Sequence, residues 1–343
     1  KMKAAFFRRH GEADVLEVGE APEPVAAAGT VIVGVRAVAL NHLDLWVRRG
    51  IPGLELELPH IGGSDVAGVV EEVGPGVTAW SAGDRVVVNP SLWCGECTFC
   101  ERGEESLCRS YRIVGEHVGG GAAERLRVPA TNLYAIPDAL AFETAAAAPL
   151  VYQTAWRALT SRARLRSGET LLVTGGSGGV STAAIQVGKH LGAQVLVITS
   201  GQENVERCEA LGADRAFDRL AGEFTSEVRK VTGQAGADVV LDSVGEALWD
   251  DCLRCLGPDG RLVVYGATTG PIVKLNLAHL FWKQLQIMGS TMASREEFEQ
   301  VMRRIADGTL EPVVDSVLPL EEIRAAHETL EGGDVFGKLV LVP

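Results

Sequence analysis

Over roughly the first 140 residues, short apolar runs alternate with turn-forming clusters. Thr30–Leu40, Val66–Val73 and Asp84–Asn89 are rich in Val and Gly, with Pro75-Gly76 and Ala82-Gly83-Asp84 between them. β-Branched residues in short runs bounded by Gly and Pro favour strands, so this part predicts an all-β domain of barrel type carrying loops. The pattern changes near Pro137. Phe142–Arg166 is Ala-rich and mostly free of breakers after Pro149, which predicts a helical connection.

From Glu169 the period changes again. Leu171–Thr174 and Val195–Thr199 read as strands, each followed by a helical stretch, Val180–Leu191 and Asn204–Leu211; further strands are predicted at Val239–Asp242 and Leu262–Tyr265. Strands alternating with helices in this way form βαβ units and a parallel sheet, so the chain is of α/β class. The end of the chain returns to mixed α and β and closes on the strand-like Lys338–Val342.

Composition bounds the function. The 343 residues are 46% hydrophobic and 22% charged, which is ordinary globular usage and enough chain for two domains. Thirty-two basic against 45 acidic residues give a net charge of −13, which disfavours nucleic acid or anionic lipid as a partner. No long apolar run occurs, and KMKAAFFRRHGEADV meets charges too early for a leader or a membrane anchor, so a cytoplasmic protein is expected. Glycine is the outlier, 40 residues with no collagen-like period, which places the excess in tight turns and close backbone approaches.

One such cluster follows the strand Leu171–Val173. Thr174-Gly175-Gly176-Ser177-Gly178-Gly179-Val180-Ser181 contains Gly176-x-Gly178-x-x-Ser181, a dinucleotide fingerprint with Ser in place of its last Gly. Between a strand and a helix, such a loop lets backbone approach a pyrophosphate, whose charge the helix N-terminus stabilises; the same geometry also serves as a plain strand-to-helix turn. The second strand ends Val197-Ile198-Thr199-Ser200-Gly201 with no carboxylate to hold a ribose 2′-hydroxyl. That leaves room for NADP, although Arg207 is the nearest basic residue in the sequence beyond it, so NADP and NAD both stay open.

Seven cysteines occur, and four of them cluster as Cys94-Gly-Glu-Cys97-Thr-Phe-Cys100 with Cys108 following after seven residues. Four thiolates at this spacing can wrap one tetrahedral Zn(II), with no position left open for substrate, which makes the site structural. A ferredoxin run would require the fourth Cys after three residues, followed by Pro. Arg102, Arg109 and Arg112 are placed to offset the negative charge of such a centre. Cys208, Cys252 and Cys255 read as buried bystanders.

The order of these features resembles the medium-chain dehydrogenase/reductase superfamily, which contains the zinc alcohol dehydrogenases and the quinone oxidoreductases. The landmarks are Asn41-His-Leu-Asp44, Gly63-Ser64-Asp65-x-x-Gly68-x-Val70, Gly83-Asp84-Arg85-Val86, the cysteine lobe, Thr154-Ala155-Trp156, the glycine loop and Leu211-Gly212-Ala213-Asp214. The resemblance covers the whole chain. It implies a GroES-like β-barrel catalytic domain, 1–148 completed by 285–343, and a Rossmann doubly wound parallel-sheet domain, 149–284. It also implies a homodimer or homotetramer pairing through Pro271–Leu280, and a small-molecule substrate.

Alcohol dehydrogenases of this superfamily hold a second, catalytic zinc on a Cys, a His in a Gly-His-Glu segment, and a Cys or acid before the cofactor domain. By motif these fall on Asn41, on Ser64 with Asp65 as the acid, and near Leu150, while the proton-relay hydroxyl falls on Leu43. Only Asp65 remains, and a lone carboxylate does not retain a catalytic zinc. Asn41-x-x-Asp44-x5-Gly50 and Gly63-Ser64-Asp65 look instead like the zinc-independent quinone and enoyl reductases, which generally lack the cysteine lobe. The expectation is therefore NAD(P)-dependent hydride transfer to a carbonyl, quinone or enone, with Asn41 as oxyanion donor and His42, Ser64 and Asp65 beside it. Alternatives are an alcohol dehydrogenase and an inactive dinucleotide-binding regulator. Asp44 and Asp65 are expected to bond backbone or orient Asn41. His42, Asp44, His60, Asp65 and His117 have metal-binding chemistry, but their spacing matches no ligand pattern.

The resemblance assigns cofactor contacts as well. His42 is placed at the pyrophosphate with Gly176, Ser177, Gly178, Gly179 and Val180, Thr154 at the nicotinamide side, and Thr199 and Ser200 at the adenosine ribose. Ser243, Gly245, Tyr265, Gly266 and Ala267 follow later strands, where open α/β sheets bind ligands. Lys338 resembles a C-terminal cofactor contact.

Overall fold

The structure is a computed structural model describing all 343 residues, which divide into two compact units. The first comprises Lys1–Val151 with Ser294–Pro343, and the second Tyr152–Ala293. The division differs from the boundaries expected at 148/149 and 284/285. The sheet of the second unit runs past residue 285, because Gln286–Gly289 pairs in parallel with Leu256–Val264 and must stay with it.

The core of the first unit is a seven-stranded, mostly antiparallel sheet. Its order is Val314–Pro319, Lys338–Val342, Thr30–Ala39, Asp65–Val73, Arg85–Val88 and Leu133–Ala135, with Arg125–Pro129 also pairing Thr30–Ala39. Val31, Val33, Val35, Val38, Val66, Val70, Val86 and Val88 point into one buried cluster. β-Branched side chains fit that pleated surface, which is why the Val-rich runs form strands here. The register between Thr30–Ala39 and Asp65–Val73 shifts twice, at Ile32/Val33 and at Val35/Ala37. Such bulges bend a strand and re-aim the side chains near its end.

The second unit is an open, all-parallel six-stranded sheet. In its own chain order, the strands are Thr170–Val173, Gln194–Thr199, Arg215–Asp218, Ala237–Asp242, Leu256–Val264 and Gln286–Gly289, arranged 3-2-1-4-5-6. That order reverses between the first and fourth strands, the switch point where such sheets bind ligands. The helical connection expected over Phe142–Arg166 is broken instead into Phe142–Ala146, Pro149–Arg157 and a π-helical turn, Ala158–Arg162. Pro149 starts a new helix because its ring suits a first-turn position but not an interior one. No helix is long and apolar enough to cross a membrane.

Candidate active site

Asn41 follows the strand Thr30–Ala39 and precedes the helix His42–Arg49. Its backbone N–H donates to Asp44 Oδ2 at 2.7 Å, and the other oxygen of Asp44 accepts from the Gly63 N–H at 2.9 Å. Asp44 thus ties the Asn41 turn to the loop that leads into Asp65–Val73. Gly63 lies at φ +91°, and a Cβ there would meet Val38 at 2.8 Å and the Ala122 N at 2.9 Å, so only glycine allows this approach. Burial pushes the Asp44 carboxyl up to about 6, against the pull of those two N–H groups.

The Asn41 amide is engaged at both ends. Its Nδ2 donates to Asp65 Oδ2 at 3.0 Å, while its Oδ1 accepts from the Lys338 Nζ. Lys338 Nζ also lies 3.1 Å from Asp65 Oδ2, and Asp65 Oδ1 accepts from the Leu150 N–H at 2.8 Å. Asp65 is fully buried and Lys338 is 3% exposed. A buried pair of this kind persists only when hydrogen bonds satisfy its remaining atoms, as these do. An amide nitrogen carries two hydrogens, and one on Asn41 is committed to Asp65. The buried Ser64 hydroxyl has no partner. His42 presents its ring at the surface, where surrounding protein and then the Lys338 charge favour the neutral imidazole.

In the second unit, Thr170–Val173 opens into the glycine loop. Gly175 has φ +62°, and a Cβ on Gly176 would lie 2.4 Å from Val197 and 3.1 Å from Cys208, so the backbone is pressed onto the sheet. The twelve-residue helix Gly179–His190 follows, with Lys189 and His190 at its negative end. Ser181, in the place of the third Gly, is buried and donates to the Thr174 carbonyl at 2.8 Å, so the hydroxyl closes the turn. Across the switch point, Thr174 Oγ1 donates to Asp242 Oδ1 at 2.6 Å, and Asp242 accepts from Val244 N and Gly245 N at 3.1 and 3.0 Å. The loops holding Ser177, Gly178, Gly179 and Val180 and holding Ser243 and Gly245 are thereby fixed to each other. Tyr265 adds a hydroxyl 3.4 Å from Ser181 Oγ, and Gly266 packs against Ser243, where a Cβ would meet that side chain at 3.2 Å. Thr154 Oγ1 lies 3.8 Å from the sulfur of Met292. Ala267 lies beyond Gly266 in the same loop, and Thr199 and Ser200 end the second strand. This cradle of close backbone and helix N-terminal N–H groups fits a dinucleotide.

Comparison with known proteins agrees with the geometry. The alcohol dehydrogenase GroES-like domain family matches residues 27–138, and the zinc-binding dehydrogenase family matches 179–307. An acryloyl-coenzyme A reductase of Metallosphaera sedula is 35% identical over 99% of both chains. The crystal structure of an NAD-dependent alcohol dehydrogenase, 42% identical, superposes with a TM-score of 0.97 over 100% of both chains. A crotonyl-CoA carboxylase/reductase in complex with NADP, 26% identical, superposes at 0.93 over 99% of this chain and 94% of that one. The chain belongs to the medium-chain dehydrogenase/reductase superfamily. It is an NAD(P)-dependent oxidoreductase of that superfamily.

By the motif resemblance, the Asn41 cluster falls where the zinc alcohol dehydrogenases of this superfamily hold their catalytic metal. The residues here do not fit one. Asn41 and Ser64 stand at two ligand positions, Leu150 contributes a backbone N–H at the third, and a lysine ammonium faces the only carboxylate. Lys338, which the resemblance implies as a cofactor contact, turns its charge onto Asn41 and Asp65. His42, Asp44, His60, Asp65 and His117 form no metal-binding group either. His60 Nε2 lies 2.9 Å from the Gly115 carbonyl, and His117 Nδ1 accepts from the Ile113 N–H at 3.1 Å.

Cys94, Cys97, Cys100 and Cys108 do converge, with all four sulfurs within 4.8 Å of one another. Three of the sulfur–sulfur distances are 3.5, 3.6 and 3.9 Å. Backbone N–H groups of Cys94 and Ser110 point at the Cys108 sulfur at 3.3 and 3.4 Å. Arg102 lies over the Phe99 ring. The other three cysteines are buried, and burial pushes the Cys208 and Cys255 thiols up to about 12, which keeps them unreactive.

Two residues near these sites went unread in the sequence. Glu116 follows Gly115, whose own position packs against Gly63, and burial together with the Asp44 charge raises its carboxyl to about 7. Arg219, one residue beyond the strand Arg215–Asp218, donates from Nε to Ser200 Oγ at 2.8 Å. A metal or general-acid motif would not have revealed either residue, because neither lies in one.

Proposed function

We propose that this chain reduces a carbon–carbon double bond conjugated to a carbonyl, as in an enone or an enoyl thioester, without a catalytic metal. The observation that carries the reading is the Lys338 ammonium lodged against Asn41 Oδ1 and Asp65. It supplies a fixed positive charge where an alcohol dehydrogenase would supply a divalent one. The name of the acryloyl-coenzyme A reductase relative points to the same substrate class.

Reduced NAD(P), when bound, supplies a hydride to the carbon β to the carbonyl. The protein's part is to meet the negative charge that then builds on the carbonyl oxygen, until the enolate takes a proton at its α carbon from solvent water. Asn41 donates its uncommitted N–H to that oxygen. Lys338, by drawing charge from the amide oxygen, makes the N–H a stronger donor, and Asp65 fixes the plane of the amide. Ser64, with its free buried hydroxyl, is the second donor. In the second unit, Gly176, Ser177, Gly178, Gly179 and Val180 hold the pyrophosphate against the helix N-terminus. Alcohol oxidation fits less well, since Leu43 stands where the resemblance places the hydroxyl that relays the alcohol proton.

The cysteine lobe holds one Zn(II) in this reading. Zn–S bonds of about 2.3 Å in a tetrahedron set sulfur–sulfur edges of about 3.8 Å, close to those present. Purified protein, assayed for metal content, is to be given NADPH and NADH with an enone, an enoyl thioester, a quinone and an aldehyde in parallel. One zinc per chain and turnover of the conjugated acceptors support the reading. Two zincs with alcohol–aldehyde interconversion lost on chelation would make it an alcohol dehydrogenase, and dinucleotide binding with no turnover of any acceptor would make it a binding protein.

A further inference from the structure

In the proposed reduction the α carbon is protonated from solvent, a step that Asn41, Ser64 and Lys338 do not perform. A carboxyl group of the first unit stands beside them. The loop 114–122 is laid along 61–63, where Gly120 N, Gly121 N and Ala122 N donate to the carbonyls of Ile61, Gly63 and Gly62 at 2.7, 2.8 and 2.9 Å. Near its start Gly115, at φ +83°, lies so close to Gly63 that a Cβ on it would be 2.7 Å from the Gly63 carbonyl carbon. The residues that follow these two glycines are Glu116 and Ser64, so the backbone crossing sets Glu116 next to the turn that carries the unpartnered Ser64 hydroxyl.

The loop is held firmly. Gly115 N donates to the Val118 carbonyl at 2.9 Å, and Glu116 N and His117 N donate to the Ile113 carbonyl at 3.1 and 2.9 Å. The Glu116 side chain is 14% exposed, and its carboxyl takes part in no hydrogen bond. His117 Nδ1, 3.7 Å away, is already occupied by the Ile113 N–H. Asp44 on the helix His42–Arg49, His60 on the segment before Gly63, and Arg112 and His117 on its own loop are the charged and titratable groups around it. Burial favours the neutral form of both imidazoles, and Asp44 ionises above about 6. Removal from water and then the Asp44 charge push the Glu116 carboxyl up to about 7, so it still holds a proton near neutrality.

We propose that Glu116 is the general acid of the reduction, giving its proton to the α carbon while Asn41 and Ser64 hold the carbonyl oxygen. The inference rests on the reading that the substrate is an enone or an enoyl thioester. Hydride addition at the β carbon leaves an enolate. The electron pair of its carbon–carbon double bond forms the new C–H bond, the Glu116 O–H bond breaks with its pair left on the carboxylate, and the carbonyl re-forms, discharging the oxygen. Solvent water then returns a proton to Glu116, so the net proton still comes from solvent. A carboxyl whose affinity for the proton lies near the working pH suits this transfer. Fixed to the same backbone crossing as Ser64, it reaches one face of the enolate, whereas free water reaches either.

Reduction of a crotonyl thioester and of cyclohexenone by the full-length protein in deuterated water tests this, with the configuration at the α carbon read by NMR beside kcat and dinucleotide affinity. The wild type is expected to place deuterium in a single configuration, and its kcat to fall as pH rises through about 7, where Glu116 loses its proton. Glu116→Gln is expected to lower kcat by about 10²–10⁴-fold, to remove that decline, and to scatter the residual deuterium over both configurations with dinucleotide affinity unchanged. Glu116→Asp, which keeps a carboxyl on a shorter arm, should recover part of the rate and the single configuration. A Glu116→Gln enzyme with the wild-type rate overturns the proposal. So does one that is slower but still deuterates a single face, because Glu116 would then only support the loop. Failure of the underlying reading looks different: the wild type would reduce neither acceptor, and the proposal would fall with it.

Discussion

At the scale of single residues, the proposed mechanism makes the charge on Lys338 and the free N–H of Asn41 one device. Removing the donor by Asn41→Ala is expected to lower kcat by about 10²–10³. Lys338→Met should lower kcat similarly, but by itself it leaves Asp65 buried and unpaired, which costs about 3–5 kcal/mol of stability. The double variant Lys338→Met with Asp65→Asn separates the two effects, since removing both charges restores stability without restoring the rate. Steady-state kinetics beside urea unfolding check this; a double variant with wild-type kcat would remove Lys338 from the mechanism. Glu116 leads to a pH prediction. Its folded pKa, about 7, lies above the ordinary 4.5, so its contribution is full at pH below about 4.5 and is lost as pH rises through 7. Glu116→Gln is therefore expected to be more stable than wild type near pH 8.5, by on the order of 1–3 kcal/mol, and no more stable near pH 4. Urea midpoints at the two pH values measure the difference. Asn41, Ser64 and Asp65 were legible in the sequence because they sit in short motifs. The role of Lys338 was not, because it meets Asn41 across 297 positions, and Arg219 meets Ser200 across 19. Contacts between neighbouring strands leave no local pattern for spacing rules to find.

At the scale of elements, the cysteine lobe has little besides its four converging cysteines to hold it. Its α-helix, Thr98–Glu101, has no buried residue, and its 3₁₀ turn, Glu105–Leu107, buries only Ser106 and leaves Leu107 half exposed. With too little apolar surface for a core, such a loop depends on ligation for its order. Chelation, or Cys97→Ser, should open 94–108 to limited proteolysis and lower the melting temperature, with mass spectrometry locating the cut; an equally resistant apo-lobe would contradict a structural metal. Most strands were readable, because Val-rich runs between glycine turns are a strong signal, and Lys338–Val342 forms over its expected span. The strand Arg215–Asp218 was not, since four residues with a charge at each end show no clear period. The glycine loop and its helix were found because their chemistry is confined to eight consecutive residues.

At the scale of the whole molecule, one edge of the parallel sheet is unfinished. Gln286–Gly289 pairs on one side only, and Ile272, Leu277, Phe281 and Trp282, which precede it, are all strongly exposed. An open strand edge beside large apolar side chains is unstable in water unless covered, and a second copy meeting it edge to edge would cover it. Sedimentation is expected to give a mass at least twice that of the 36.4 kDa chain. Phe281→Glu with Trp282→Glu should return the protein to a monomer that still binds dinucleotide, and a wild-type monomer would refute the pairing. The discontinuous first unit bears on how the protein is made. Its sheet is threaded by Lys338–Val342, which hydrogen-bonds to Thr30–Ala39 on one side and Val314–Pro319 on the other. On the ribosome, the uninterrupted second unit can therefore fold while the earlier β-domain still waits for an inner strand of its sheet. Because that same strand brings Lys338, the charge that the proposed mechanism uses joins Asn41 only after the whole of the second unit has been synthesised.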